Sequence, residues 1–161
     1  MLVKRSVTST IAKTLAAIVI LSVLSTGIAL VTVASSLSDA EAVNIAGSLR
    51  MQSYRLAYDL TNQPQDVYLH LKEYEQSMQA PALKKLDRFY VPSSVRSEYH
   101  HLLSTWHLLD QQLKAGDTSQ YLSDVARYVS QIDHFVLVLQ HYSEQKMQQV
   151  VAISLLGVFA I

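Results

Sequence analysis

Apolar residues fall along this chain in two regimes. From Thr14 to Ser38 there is no charged residue, a run of 25 that includes Leu15-Ala16-Ala17-Ile18-Val19-Ile20-Leu21. Beyond it, apolar positions thin out and recur every three or four residues, the spacing of one helix face. No Pro interrupts the helical pattern from Ala12 to Gln63, and Asn62-Gln63-Pro64 stops it after about Thr61. A second helix is predicted from about Asp66 to Met78, with apolar Val67, Leu69, Leu71, Tyr74 and Met78. Pro81 ends it, Ala82 to Phe89 reads as a short helical turn, and Tyr90-Val91-Pro92 as a loop. Ser93 or Ser94 is expected to cap a third helix carrying Val95, Tyr99, Leu102, Leu103, Trp106, Leu109 and Leu113. Gly116 stops that helix in the C′ position. Asp117 or Thr118 caps a fourth, with the stripe Tyr121, Val125, Val129, Ile132, Val136, Leu139 and Tyr142, a bundle seam. From Met147 the pattern turns apolar, and from Gln149 onward no charge appears.

At 1.5 Å per residue, about 20 residues cross the hydrocarbon core, so the first uncharged run can span a membrane with some tilt. Lys4, Arg5 and Lys13 precede it without any acid, which places residues 1–13 in the cytoplasm. A cleaved signal peptide would have a shorter apolar region, about 7–15 residues, and Val33-Ala34-Ser35-Ser36 is a weak cleavage site. An uncleaved anchor fits better. Val150 to Ile161 reads as a second membrane segment cut short, reaching about 18 Å against about 30 Å of hydrocarbon. The chain is therefore expected to be a piece of a longer protein.

The expected organisation is a cytoplasmic N-terminus (1–13), a first transmembrane helix (14–38), a periplasmic four-helix sensor domain (39–146) and a truncated second transmembrane helix (147–161). The fold class is all-α: a membrane-anchored, antiparallel up-and-down four-helix bundle whose first and fourth helices continue into the spans. A ligand touching the first helix can then move a span directly.

Composition narrows the chemistry. Lys and Arg number 13, as do Asp and Glu, so no bulk field selects nucleic acid or polyanions. With three cations in residues 1–13, the stretch from Asp39 to Lys146 holds ten cations against thirteen acids, a net −3. Long-range attraction cannot collect an anion there, so any anion must be recognised locally. There is no Cys, hence no disulfide, thiolate metal site or thiol nucleophile. No Gly-rich phosphate loop, nucleophile elbow or kinase ATP motif occurs, so no catalytic machinery is legible in this chain.

One segment stands out: Asn44-Ile45-Ala46-Gly47-Ser48-Leu49-Arg50-Met51-Gln52-Ser53-Tyr54-Arg55-Leu56. Residues three and four apart share a helix face, so Gly47, Arg50, Met51 and Tyr54 form one stripe. Gly in mid-helix costs about 1 kcal/mol relative to Ala, and is better explained by close approach of a backbone or small ligand. Arg50 sets a planar positive fork beside that gap, a seat for a small planar anion. An Arg on a helix is ordinarily solvated, or in an exposed pair of about 0–1 kcal/mol, so the residues alone leave both readings open. Arg55 lies about 140° round the helix from Arg50 and is expected to serve packing more than ligand.

Other constellations carry less. His100 and His107 lie seven apart on the third helix, and His134 and His141 on the fourth, so a four-His metal site can be imagined. Nothing requires those faces to meet, and surface or interhelical hydrogen bonding is the expectation. Asp133 beside His134 adds a local pair without a third partner. Tyr54, Tyr58 and the other seven Tyr are expected to pack in the bundle rather than bind a cofactor.

The block from Asn44 to Leu56 resembles the input segment, the P-box, of the nitrate/nitrite-responsive sensor histidine kinases, in the NarQ-type branch of the NarX/NarQ family. The resemblance runs from Met1-Leu2-Val3-Lys4-Arg5 through Gln131-Ile132-Asp133 to the last residues. It implies that Arg50 contacts nitrate or nitrite, one Arg from each subunit of a parallel homodimer, with Gly47 giving close backbone approach. Ser48, Met51, Tyr54 and Arg55 would support that site. It further implies the bacterial inner membrane, a sensor in the periplasm, and a HAMP relay, signalling helix and kinase core after the second span. Those absent parts would use ATP and Mg and pass phosphate to a response regulator. Two other classes remain: the sensor region of a chemoreceptor, and an exported helical bundle that binds metal or haem.

The topology can be read by single-Cys labelling, because the chain has no competing thiol. A membrane-impermeant reagent applied to intact spheroplasts is expected to modify Asp66→Cys and to spare Thr8→Cys. The reverse pattern would invert the orientation.

Overall fold

The computed structural model describes residues 2–159. For residues 2–5 and 158 only the helical backbone is described, so the flanking cations Lys4 and Arg5, and the end of the expected second span at residues 160–161, lie outside the described side chains. The described chain is helical throughout, with α1 at Leu2–Asn62, α2 at Val67–Met78, α3 at Pro81–Lys84, α4 at Ser93–Lys114 and α5 at Thr118–Phe159. Single 3₁₀ turns cover Pro64–Asp66 and Lys85–Asp87. The all-α expectation holds. The chain divides into two compact units, Met1–Leu37 and Ser38–Ile161.

The first unit is the N-terminal part of α1. Its large apolar side chains, from Val7 through Ile18, Leu24 and Val31 to Leu37, are exposed. Hydroxyls among them turn inward to the helix: Thr10 Oγ1 donates to Ser6 O at 2.9 Å and Thr14 to Thr10 O at 2.9 Å. Ser22 donates to Ile18 O at 2.8 Å and Thr32 to Ile28 O at 2.8 Å. A hydroxyl bonded to the carbonyl four residues back asks nothing of the surroundings, which makes polar residues tolerable in an apolar medium. Among the described residues α1 is the one helix long and apolar enough to cross a membrane.

The second unit has a single core, to which α1 contributes Ala42, Ala46, Leu49 and Leu56, α2 Leu71, Tyr74 and Met78, and α3 Ala82 and Leu83. From α4 come Val95, Tyr99, Leu102, Trp106 and Leu109, and from α5 Tyr121, Val125, Val129, Ile132 and Leu139. Each fully buried Leu contributes about 1.5–3 kcal/mol of transfer free energy. Contacts between α1 and α2 join Gln52 to Ser77, Arg55 to Glu73 and Asp59 to His70, numbers that fall as α1 rises, so the pair is antiparallel. Asp39 to Lys146 and Arg50 to Asp133 make α1 and α5 antiparallel by the same count.

The helix boundaries follow local chemistry, with one correction. Gln63, before Pro64, leaves the helical region at φ −141°, ψ 62°, as a residue preceding proline tends to do. Gly116 takes φ 79°; its N–H reaches Leu113 O at 3.1 Å and the Asp117 N–H reaches Gln112 O at 2.9 Å, a Schellman ending. Asp117 Oδ1 then accepts from the Gln120 N–H at 3.4 Å, the expected cap of α5. Neither Ser93 nor Ser94 caps α4: the N-cap is Pro92, at φ −53° and ψ 143°, with no side-chain cap. An extended proline sets the entry of the chain without a hydroxyl.

Two assignments of side chains to the core also change. Leu69, placed on the buried face of the second helix, is exposed, because α2 buries the narrower row Leu71, Tyr74 and Met78. Tyr128 and Phe135, outside the predicted stripe of the fourth helix, are buried, so α5 covers a wider arc than a seam.

At the centre four helices meet through tyrosines. Tyr74 stacks on Trp106 with centroids 3.9 Å apart, and its hydroxyl meets that of Tyr128 at 2.5 Å. The Tyr121 hydroxyl donates to Ser53 O at 2.9 Å, and Ser53 Oγ to Leu49 O at 2.7 Å. Burial pushes Tyr74, Tyr121 and Tyr128 well above the ordinary phenol range. A phenol raised in the fold holds its proton where the unfolded chain has lost it. Stability is therefore whole below pH of about 10 and falls as pH rises beyond it. The urea midpoint is expected to drop steeply between about pH 10 and pH 12, and less so in the Tyr74→Phe/Tyr128→Phe variant. Parallel pH profiles for both proteins would show that these phenols carry none of the slope.

Candidate functional site

The core decides which face of α1 stays outside. Ala42, Ala46, Leu49, Ser53 and Leu56 point inward at helical spacing, and Gln52 and Asp59 are buried beside them. The opposite face carries exposed Arg50, Met51, Tyr54 and Tyr58, with Gly47 half-buried at its edge. Tyr54 and Tyr58, expected to pack in the core, stand on this solvent face instead, because the seven-residue inner row leaves them no neighbour to pack on. Tyr68 and Tyr90 are exposed as well, so the tyrosines divide between core and surface.

Gly47 and Arg50 do meet. Arg50 Nε donates to Gly47 O at 3.4 Å, and a Cβ built on Gly47 would lie 3.8 Å from Arg50 Nη2 with nothing else within 4 Å. Alanine would therefore fit at position 47 within this protomer, so packing inside the chain does not demand glycine there. Arg50 Nη1 reaches Asp133 Oδ1 on α5 at 2.8 Å, with both side chains 49% exposed. The fork is thus on a wet face, already holding one carboxylate, and it keeps further donors to offer. A small planar anion can approach it from outside without displacing any core residue.

The other named residues part company. Ser48 Oγ donates to Ile45 O at 2.7 Å and accepts from Gln52 Nε2 at 3.1 Å; that amide also reaches Ser77 Oγ at 3.0 Å. Ser48 thus belongs to an α1–α2 network. Arg55 Nη2 pairs with Glu73 Oε2 at 2.5 Å across the same helix pair, as a packing residue would. Met51 borders a groove between α1 and α2 that it shares with Ile45, Arg55, Glu73 and Gln76. Asp133 was not foreseen as a partner of Arg50. Its place one residue from buried Ile132 marks the edge of the α5 stripe, but the register of α5 against α1 is not written in that signal.

The histidines disperse. His100 Nε2 contacts Asp87 Oδ1 at 2.6 Å and His134 Nε2 lies 3.4 Å from Glu98, while His141 lies 3.8 Å from Glu144 and His107 is exposed. Among the described residues no three His, Asp or Glu side chains are grouped to hold a metal.

Residues 31–128 match the protein family described as PilJ: type IV pili methyl-accepting chemotaxis transducer N-term. The chain is 51% identical over 157 residues to the nitrate/nitrite sensor protein NarQ of Escherichia coli (strain K12), covering 98% of this chain and 28% of that protein. It is 37% identical over 158 residues to the sensor protein NarQ homolog of Haemophilus influenzae, again covering 98% of this chain and 28% of that protein. The resemblance seen in the sequence is thereby shown, and this chain spans under a third of the length of those relatives.

The exposed Arg50–Asp133 pair is expected to add less than about 1 kcal/mol to stability, so Asp133→Asn leaves the urea midpoint nearly unchanged in anion-free buffer. Asp59 is different: its side chain is 2% exposed and meets His70 Nδ1 at 2.5 Å. Asp59→Asn is expected to cost about 1–3 kcal/mol, which the same denaturation series measures.

Proposed function

The chain belongs to the PilJ-type family of chemotaxis-transducer N-terminal domains, and from that premise we propose that it is the sensing and signalling region of a nitrate/nitrite sensor histidine kinase. The observation that carries this reading is the outward stripe of Gly47 and Arg50, on a chain 51% identical to a nitrate/nitrite sensor protein. The sensor is an up-and-down four-helix bundle in the periplasm, held in the inner membrane through α1 and the apolar end of α5. It works as a parallel homodimer, and a response regulator is addressed through the parts that follow this chain.

In this proposal the α1 stripes of two subunits face each other, and Gly47 lets the backbones come close. That explains a mid-helix glycine that packing within one protomer does not require. Two guanidinium groups about 6 Å apart at an effective dielectric near 20 repel by about 3 kcal/mol. In the empty dimer each Arg50 is held back by its own Asp133. A nitrate or nitrite monoanion between the two forks turns repulsion into two charge-assisted contacts and draws the first helices into a new register against α5. Because α1 is one helix from Leu2 to Asn62, and α5 one from Thr118 to Phe159, sliding passes along unbroken helices. Only the difference in anion affinity between the two registers drives the shift, and a few kcal/mol changes populations about a hundredfold.

The family description favours a second reading, the sensor region of a chemoreceptor. The gene beyond residue 161 decides between them: a HAMP relay and kinase core on one side, methylation helices on the other.

Titration calorimetry of the dimer in nanodiscs is expected to show nitrate heat that Arg50→Ala abolishes and Arg50→Lys weakens by about tenfold or more, since Lys keeps the charge and loses the fork. Spin labels on α1 and α5 should change separation when nitrate is added. Full nitrate heat in Arg50→Ala would move the site elsewhere, and unchanged distances would remove the sliding step.

A further inference from the structure

Between Lys85–Asp87 and α4 the chain turns three residues outward. Phe89 is 89% exposed and Tyr90 56%, with their rings edge to face at 5.6 Å and 81°. Arg88 Nη1 donates to Tyr90 Oη at 3.5 Å. The loop is pinned on both sides, by buried Leu86 before it and buried Val91 after it, and the Val91 N–H closes a turn on Arg88 O at 3.0 Å. The fold therefore holds two large rings in solvent where it could have turned them in. Lys84 and Lys85 stand exposed just ahead of them, and the nearby carboxylate of Asp87 is engaged by His100.

Where this loop sits is set by α5. Its continuation, Pro92, Ser94 and Val95, shares a groove with His141, Tyr142 and Gln145. Burial raises the Tyr142 phenol, and Asp39 and Tyr90 each push it further up, so Tyr90 lies in the neighbourhood of Tyr142. Lys146 Nζ is 4.5 Å from the Tyr142 ring centroid and donates to Asp39 Oδ1 at 2.6 Å. Five residues beyond Tyr142 the exposed apolar run of α5 begins at Met147 and continues through Val151, Ile153 and Leu155. At 1.5 Å per residue that is about 7.5 Å along the helix. Tyr142, with Tyr90 in its neighbourhood, thus stands about one and a half turns before the apolar run, Lys146 adjoins the run directly, and Arg88 and Phe89 are joined to Tyr90 within the loop.

Exposed aromatics beside cations, at that distance from an apolar helix, are the composition of a membrane interface belt. We propose that the Arg88-Phe89-Tyr90 loop seats in the headgroup layer of the membrane that receives the apolar end of α5. The rings lie at the boundary with the acyl chains, and Arg88, Lys84 and Lys85 meet the phosphates of anionic lipid. The proposal rests on reading α5 from Met147 onward as a membrane segment. It gives the sensor a foothold outside its membrane-crossing helices, so the α3–α4 connection stays with the lipid surface while α1 and α5 shift.

The chain has no Cys, so nitroxide labels can be placed singly at Phe89→Cys, Ile153→Cys and Tyr68→Cys, the last an exposed control on α2. The full chain is studied in nanodiscs of phosphatidylcholine and phosphatidylglycerol, with a water-soluble nickel chelate and oxygen as collision partners. The expected result is oxygen access at 153 and 89, with nickel collision at 89 about threefold lower than at 68. A lipid-like label at 153 with nickel access at 89 equal to that at 68 overturns the loop seat and leaves the membrane reading of α5 intact. Shielding of 89 from both partners also overturns it, since protein then covers the loop. Free nickel access at 153 removes both readings.

Discussion

Burial of the inner row of α1 is the constraint from which the rest of the second unit follows. Ala46, Leu49, Ser53 and Leu56 are fully buried, and Tyr121 reaches across from α5 to bond the Ser53 carbonyl. Once that row is inside, the 3.6-residue repeat leaves Arg50, Met51, Tyr54 and Tyr58 outside, with no freedom to exchange faces. The small residues Ala42, Ala46 and Ser53 matter as much as the large ones. At Ser53 the Tyr121 hydroxyl reaches the α1 backbone itself, at 2.9 Å. The two faces of one helix differ in composition accordingly: one side folds the unit, and the other is left to solvent.

Anion recognition, as proposed for that outer face, has to be short-ranged. The segment from Asp39 to Lys146 carries a net −3, which offers an approaching anion no attraction and is largely screened beyond a Debye length of about 8–10 Å. In the proposed reading Arg50 meets this with a fork whose planar donors match a planar anion; in this structure part of that fork is paired with Asp133. An exposed pair of this kind contributes little to stability, which suits the exchange of partners that the proposed anion binding calls for. Buried Asp59 with half-buried His70, and the Arg55–Glu73 pair, tie α1 to α2 further along, so a displacement of α1 against α5 is not the same as a loss of the fold.

The apolar helix of the first unit and the aromatic loop ahead of α4 present different kinds of surface. In the helix, the Thr14, Ser22 and Thr32 hydroxyls fold back onto carbonyls four residues earlier, which lessens the polarity of a surface made mostly of large apolar side chains. At the loop, two rings and a guanidinium face outward together. Continuous apolar surface suits hydrocarbon, and mixed aromatic and cationic surface suits headgroups.

Much of this was legible in the sequence. The 25-residue uncharged run, the helix stops at Pro64 and Gly116, the Asp117 cap and the inner faces of α4 and α5 follow from local chemistry and a fixed period. So does the stripe of Gly47, Arg50, Met51 and Tyr54, because residues on one helix share a face whatever the helix packs on. What the tertiary structure decided is everything that depends on register between helices. It set Asp133 against Arg50, Glu73 against Arg55 and His70 against Asp59, across 83, 18 and 11 residues of chain. It turned Tyr54, Tyr58 and Leu69 outward and drew Tyr128 and Phe135 in, because the width of a buried arc depends on how many neighbours a helix has. It put Pro92 rather than Ser93 or Ser94 at the start of α4, since the path of the incoming loop, not the presence of a hydroxyl, sets the capping geometry. A sequence specifies faces through the helical period, but only packing specifies which faces meet.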